Sequence, residues 1–333
     1  MSAKKRVLAA HILGSAGWEM LERRADIEAL PFANTIPQEE FRALLRSMER
    51  VDGVILGLTR FGEAERAEAR GLKVVSRIGV GYDAVDVPAL AAHGVPVMVA
   101  GTANASSVAE QTLHFMLALA KRGAGLDALV RAGRWGDRME HLPADLSGKR
   151  VLLVGFGRIG SRVARRCLAM EMDIWVHDPY VSPELIRRSG CVPAADLDEA
   201  LGAADIVSLH CPKTPLTLGM FGADRLAVMK PGAVLINTAR GGIVDEAALY
   251  QALVRRRLAA AALDVFAPEP PAAANPLLAL PNVLVSPHVA GVTVESVQRM
   301  AVQAVGNLLS VFDGEPAWGN VIDAQALAMP APA

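Results

Sequence analysis

Short apolar runs rich in Val, Ile and Leu recur along the chain, and between them the apolar residues return at helical spacing. In the first third the runs fall at Val7–Leu13, Val54–Gly57, Lys73–Ser76 and Val95–Val99, with a helix predicted over Ile36–Arg50. A second series begins abruptly at Arg150. Its runs lie near Val151–Val154, Ile174–His177, Ile206–His210, Val234–Thr238, Ala260–Val265 and Val283–Ser286. Continuous runs separated by helices indicate parallel strands with crossover connections, so the fold class is α/β, with doubly wound parallel sheets. Between the two series, Ser106–Arg122 places Leu113, Phe115, Met116, Leu117 and Leu119 around much of a helix, which predicts an element buried between layers that joins two domains. The last helix, Thr293–Phe312, is expected to cross back to the first domain. The expected partition is therefore residues 1–100 completed by 291–333, and residues 101–290.

A length of 333 residues suits two domains of ordinary size. The 34 Lys and Arg nearly balance the 35 Asp and Glu, so no global field draws the chain to nucleic acid or to an anionic membrane. Val87–Ala109 and Pro270–Val294 lack charge over long spans, but Pro, Gly, Ser and Asn interrupt both, and no membrane span is expected. The spacing of Cys167, Cys191 and Cys211 matches neither a zinc site nor a disulfide framework, so no metal and a cytoplasmic location are expected.

The chemistry starts at Gly155-Phe156-Gly157-Arg158-Ile159-Gly160, which follows a strand directly and opens a helix. In that context Gly155 permits a tight turn, Gly157 lets backbone N–H groups approach a pyrophosphate, and Gly160 lets helix and strand pack closely. Arg158 and Ile159 lie in the turn that delivers the helix N-terminus to the phosphates. The next strand ends in Asp178, 18 positions beyond Gly160. A carboxylate there accepts from ribose hydroxyls and repels a 2′-phosphate, so NAD is expected over NADP.

Three segments fall at ends of later strands: Asn237-Thr238-Ala239-Arg240-Gly241-Gly242, Leu263-Asp264-Val265-Phe266-Ala267-Pro268-Glu269-Pro270 and Ser286-Pro287-His288-Val289-Ala290-Gly291. Carboxyl ends of parallel strands are where ligands bind. Together with the glycine turn, Leu209-His210-Cys211-Pro212 and Arg77-Ile78-Gly79-Val80-Gly81, they resemble the D-isomer-specific 2-hydroxyacid dehydrogenase family over nearly the whole chain. The resemblance implies a flavodoxin-like substrate domain plus an NAD-binding Rossmann domain, and Arg240, Glu269 and His288 as the catalytic residues. It further implies that His210, Cys211, Pro212, Thr217, Thr238, Ala239, Asp264 and Gly291 line the cofactor, with Arg240 and His288 facing it, and that Gly79, Val80, Gly81 and Arg240 hold the substrate. His210 carries either a cofactor-side or a structural role on this reading. A homodimer is expected from the same resemblance.

Reduction of a 2-keto acid needs a hydride donor, a cation for the carboxylate and carbonyl, and an acid for the forming alkoxide. Arg240 offers a planar fork that suits a carboxylate, His288 a proton donor near neutral pH, and Glu269 a partner that orients the imidazole. Within the family, the 3-phosphoglycerate dehydrogenase and glyoxylate or hydroxypyruvate reductase branches are nearest in pattern. Where the resemblance implies basic side chains in the phosphoglycerate branch, the segment Ile55–Gly62 carries Gly57 and Phe61, which leaves Arg60. A small unphosphorylated 2-keto acid such as glyoxylate or hydroxypyruvate is therefore expected. The alternatives are 3-phosphoglycerate and, in a different class, a non-catalytic NAD-sensing protein of the corepressor kind.

Overall fold

A computed structural model describes residues 4–322, which form two compact units: residues 4–104 with 292–322, and Ala105–Gly291. In the first unit five parallel strands, β1 (Lys5–Ala10), β2 (Ile27–Phe32), β3 (Gly53–Leu56), β4 (Val74–Arg77) and β5 (Val97–Met98), alternate with helices α1 (Gly14–Glu22), α2 (Gln38–Ser47), α3 (Glu63–Glu68) and α4 (Val87–Ala91). The second unit opens with α5 (Ala105–Lys121) and α6 (Gly123–Arg131). Its strands are β6 (Arg150–Val154), β7 (Asp173–His177), β8 (Val192–Pro193), β9 (Ile206–Leu209), β10 (Val234–Asn237), β11 (Ala260–Leu263) and β12 (Val283–Val285). Between them run α7 (Gly160–Ala169), α8 (Pro183–Arg188), α9 (Leu197–Ala203), α10 (Ala223–Val228) and α11 (Glu246–Val254). The chain closes with α12 (Val294–Phe312), packed on α1, β3 and β4 of the first unit, and with β13 (Val321–Ile322), which adds antiparallel to β5.

The first sheet has the order β13-β5-β4-β3-β1-β2 and the second β12-β11-β10-β9-β6-β7-β8, the latter entirely parallel. Each reverses direction once, at β1/β3 and at β6/β9, and the crevice outside the carboxyl ends at such a reversal is the ligand position of open α/β sheets. Both faces of each sheet are sealed by apolar clusters. In the second unit Val151, Leu153, Ile206 and Ile236 face α5 and α7, while Leu152, Val154, Val207, Leu209 and Leu235 face the opposite layer. Strand pleating therefore sends Ile206, Ser208 and His210 toward the α7 side.

Several expectations need correction. β1 ends at Ala10, and His11–Leu13 is a 3-10 turn, because the apolar run continues past the sheet edge. β2, at the sheet's edge with Glu28, Leu30 and Pro31 exposed or partly so, breaks the apolar-run pattern and was not anticipated. The short β8 adds a seventh strand to the second sheet. In α5 only one side is buried, through Val108, Thr112, Phe115 and Met116; Leu117 is exposed, so the helix covers one sheet face and is not enclosed on all sides.

Candidate active site

The turn between β6 and α7 is packed so tightly that its glycines are compulsory at two of three positions. Gly155 has φ of +102°, and a Cβ on it would lie 2.7 Å from the carbonyl carbon of His210. A Cβ on Gly160 would lie 2.2 Å from the Gly155 carbonyl oxygen. Gly157 differs: nothing lies within 4 Å of its Cβ position, so the turn presents open backbone there. Arg158 is exposed and Ile159 half-buried in the same turn. Asp178 accepts from the Phe156 N–H at 2.7 Å through Oδ2 and from the Tyr180 N–H at 2.9 Å through Oδ1. That carboxylate thereby ties the glycine turn to the end of β7.

On the neighbouring strand end, the His210 N–H donates to Val154 (2.8 Å) and its Nε2 pairs with Ser208 Oγ (2.9 Å). Burial pushes the His210 imidazole down to about 3, so the ring is neutral. Burial also pushes the Cys211 thiol up to about 11. Thr217 donates from Oγ1 to the Pro212 carbonyl at 2.7 Å and accepts from the Thr214 N–H at 2.8 Å, which closes the loop 212–217. At the end of β10, Thr238 is buried with its hydroxyl 3.0 Å from that of Thr112 on α5. Ala239 and Arg240 sit in a turn held by Asn237, whose Oδ1 accepts from the Ala239 N–H (3.0 Å) and whose Nδ2 donates to the Arg240 carbonyl (2.9 Å). The Arg240 guanidinium donates to the Ala239 carbonyl at 2.7 Å.

The residues after β11 and β12 converge on one dyad. His288 Nδ1 lies 2.7 Å from Glu269 Oε2, and Glu269 Oε1 accepts from the Phe266 N–H at 2.9 Å. The carboxylate is thus anchored on one oxygen and meets the imidazole with the other, while Nε2 makes no hydrogen bond among the described residues. His288 has φ of +54°, an uncommon backbone for a side-chain-bearing residue. Asp264 holds it there. The Asp264 carboxylate accepts from the N–H groups of Val289 and Ala290, each at 2.9 Å, and from the Ser286 hydroxyl, and its carbonyl accepts from the His288 N–H at 2.8 Å. Ala290 and Gly291 close this loop at the unit's end. Two positioning residues were not anticipated: Asn237, and Glu246, which accepts from the Ala267 N–H (2.8 Å) and from Asn275 Nδ2 (2.7 Å) and so braces the segment that carries Glu269. Nothing in their local sequence separates them from an ordinary strand-end Asn or a helix-start Glu.

In the first unit, Gly79-Val80-Gly81 forms the turn after β4, with Gly79 at φ +140° and its carbonyl accepting from the Ala100 N–H at 2.8 Å. No backbone acceptor within the described residues takes the N–H groups of Gly79, Val80 or Gly81. Phe61 is a core residue against Phe41, and a Cβ on Gly57 would meet Ile12 Cγ2 at 3.3 Å. In the loop after β3 the side chains turned outward are Leu58, 73% exposed, and Arg60.

Residues 113–290 match the model of the D-isomer specific 2-hydroxyacid dehydrogenase, NAD binding domain. The chain belongs to the D-isomer specific 2-hydroxyacid dehydrogenase family. It is 37% identical over 274 residues to a D-3-phosphoglycerate dehydrogenase of Archaeoglobus fulgidus, an alignment that covers 82% of this chain and 52% of the relative. The chain spans about half the length of the curated relatives it matches. Among solved structures, the TT0316 protein of Thermus thermophilus superposes with TM-score 0.86 at 36% identity, covering 95% of this chain and 99% of that one. An NADPH-dependent glyoxylate/hydroxypyruvate reductase of Sinorhizobium meliloti superposes with TM-score 0.84 at 29% identity, covering 98% of this chain and all of the other.

The residues of this family member suit a dinucleotide. The turn is open at Gly157 and closed at Gly155 and Gly160, the N-terminus of the ten-residue α7 follows it, and a carboxylate stands at the end of the adjacent strand. Among the described residues no His, Cys, Asp and Glu cluster has the makings of a metal site, and no helix is long and apolar enough to cross a membrane.

Proposed function

We propose that this protein interconverts a small 2-keto acid and its D-2-hydroxy acid, with His288 as the acid/base, Glu269 as its orienting partner and Arg240 as the cation for substrate carboxylate and carbonyl. The observation that carries the reading is the His288–Glu269 contact of 2.7 Å with the second Glu269 oxygen already fixed on Phe266. Such a carboxylate accepts the Nδ1 proton and sets the tautomer and orientation of the ring, which leaves Nε2 to give a proton to an alkoxide or to take one from an alcohol. NADH, when bound, supplies the hydride. Arg240 sits in a turn pinned by Asn237, so its guanidinium starts from a fixed backbone, and a planar fork suits a carboxylate. The N–H groups of Gly79–Gly81, which no backbone acceptor among the described residues takes, support a role in holding the substrate carboxylate. NAD is preferred over NADP because Asp178 presents negative charge where a 2′-phosphate would lie.

For the substrate, the loop after β3 presents Leu58 and a single cation, Arg60, which favours an unphosphorylated acid of the glyoxylate or hydroxypyruvate type over a phosphate that needs several basic side chains. The curated relatives named D-3-phosphoglycerate dehydrogenase support the competing reading. A steady-state panel of glyoxylate, hydroxypyruvate, phosphohydroxypyruvate and 3-phosphoglycerate with NAD(H) and NADP(H) decides between them. The expected result is a higher kcat/KM with NADH and unphosphorylated acids. A preference for the phosphorylated pair overturns the substrate assignment, and NADH binding without turnover on any acid overturns the enzymatic one.

A further inference from the structure

Thr112 is an unexpected residue for its place. It lies in the middle of α5, fully buried among Val108, Phe115 and Met116, on the side of the helix that forms the apolar layer over β10. A β-branched residue is a poorer helix former than the Ala or Leu such a layer accepts, and a hydroxyl turned back on its own helix weakens the helix slightly. Packing alone gives no reason for the oxygen.

The hydrogen bonds supply one. Thr112 Oγ1 lies 2.9 Å from the Val108 carbonyl oxygen and 3.0 Å from Thr238 Oγ1. A carbonyl only accepts, and a hydroxyl has one proton to give. Thr112 therefore donates to Val108, and both bonds form together only when Thr238 is the donor to Thr112. The alternation along β10 agrees, since Ile236, two residues before Thr238, also faces the α5 layer. Among the described residues the Thr238 hydroxyl has no other partner, so its proton is committed to α5.

What the bond holds is the turn after β10. The chain leaves the sheet at Asn237 and reaches Arg240 three residues later. Asn237 ties Ala239 and Arg240 to the strand they leave, and on the β11 side Gly241 lies so close to the Phe266 carbonyl that no side chain fits. The bond from Thr238 to Thr112 is the tie to the helical layer. We propose that Thr112 is a positioning residue for Arg240: its oxygen, oriented by Val108, takes the Thr238 proton and fixes the turn from which the guanidinium meets a substrate carboxylate. The inference rests on the reading of Arg240 as the substrate cation, and it adds a residue from a helix that carries none of the strand-end motifs.

Two substitutions separate the oxygen from mere packing. Thr112→Val keeps the shape and removes the oxygen, whereas Thr112→Ser keeps the oxygen and removes a methyl group. With the acid that the panel ranks first, kcat/KM is expected to fall about tenfold in Thr112→Val, while NADH affinity, by fluorescence titration, changes less than about twofold. Thr112→Ser is expected to stay within about threefold of wild type in both. A merely structural threonine gives the opposite order, because Val fills the layer as Thr does and Ser leaves a gap. The proposal is overturned if Thr112→Val keeps the wild-type kcat/KM, if Thr112→Ser is as impaired as Thr112→Val, or if NADH affinity falls in step with kcat/KM. Should Thr112→Val fail to fold, combining it with Thr238→Val replaces both hydroxyls by methyl groups and leaves no unpaired donor. In that protein kcat/KM is expected to remain low, and a wild-type value overturns the proposal. Crystal structures of the variants give a readout independent of turnover. The turn 238–240 is expected to be displaced in Thr112→Val and unmoved in Thr112→Ser; a turn unmoved in both overturns the proposal. If the wild type turns over no acid, the enzymatic reading falls by itself, and the structures still decide whether Thr112 holds the turn.

Discussion

His288, the proposed acid/base, illustrates how much a site residue owes to its neighbours. The left-handed backbone that presents its ring is imposed by Asp264, whose carboxylate takes three donors of the loop while its carbonyl takes the His288 N–H. Replacing His288 by Ala is expected to lower kcat by a factor of about 10² to 10⁴ with NADH affinity nearly unchanged, because proton transfer matters only as charge develops. Single-turnover kinetics with a parallel NADH titration checks this; unchanged kcat would remove His288 from the chemistry. In the sequence Arg240, Glu269 and His288 stand out only through the family's strand-end motifs, since each taken alone reads as an ordinary loop residue. It does not make the work of Asp264 recognisable, since which donors a buried carboxylate takes depends on two loops far apart in the chain. Asn237 and Glu246 are hidden for the same reason, and the burial of Phe61 beside an exposed Leu58 is hidden because nothing local tells which side chain of a loop turns inward.

Among the elements, the central strands were readable because burial on both faces requires continuous apolar runs, whereas β2 at an edge and the two-residue β8 carry no such requirement. The glycine turns show the reverse case, in which one residue type at a fixed offset states a packing constraint directly. A Cβ on Gly241 would lie 1.7 Å from the Phe266 carbonyl oxygen, while one on Gly157 would meet nothing. Gly241→Ala is therefore expected to cost about 3 kcal/mol or more in urea unfolding and to disturb the turns that carry Arg240 and Glu269. Gly157→Ala is expected to leave unfolding within about 0.5 kcal/mol and to weaken NADH binding, because the added methyl enters the space the turn keeps open. Equal stability losses in the two variants would show that the turns are softer than their close approaches imply.

At the scale of the whole molecule, α6 and the 3-10 turn Trp135–His141 bury none of their side chains, and Val130, Trp135, Met139 and Leu142 are all more than half exposed. A patch of that kind suits association, and the expected homodimer would cover it. Light scattering on the purified protein is expected to give twice the chain mass, and Trp135→Asp combined with Met139→Asp to shift it toward the monomer; a monomeric wild type would rule the arrangement out. In the structure α12 packs on α1, β3 and β4, whereas its place after the last strand in the sequence offered the crossing only as an expectation. The crossing has a consequence for synthesis on the ribosome. Ala105–Gly291 is a single uninterrupted stretch, while the N-terminal sheet, though translated first, must wait for residues 294–312 to complete the cover that α1 begins over one of its faces. The half made first is thus the half finished last, and during that interval its half-covered apolar face is what a nascent-chain chaperone would meet.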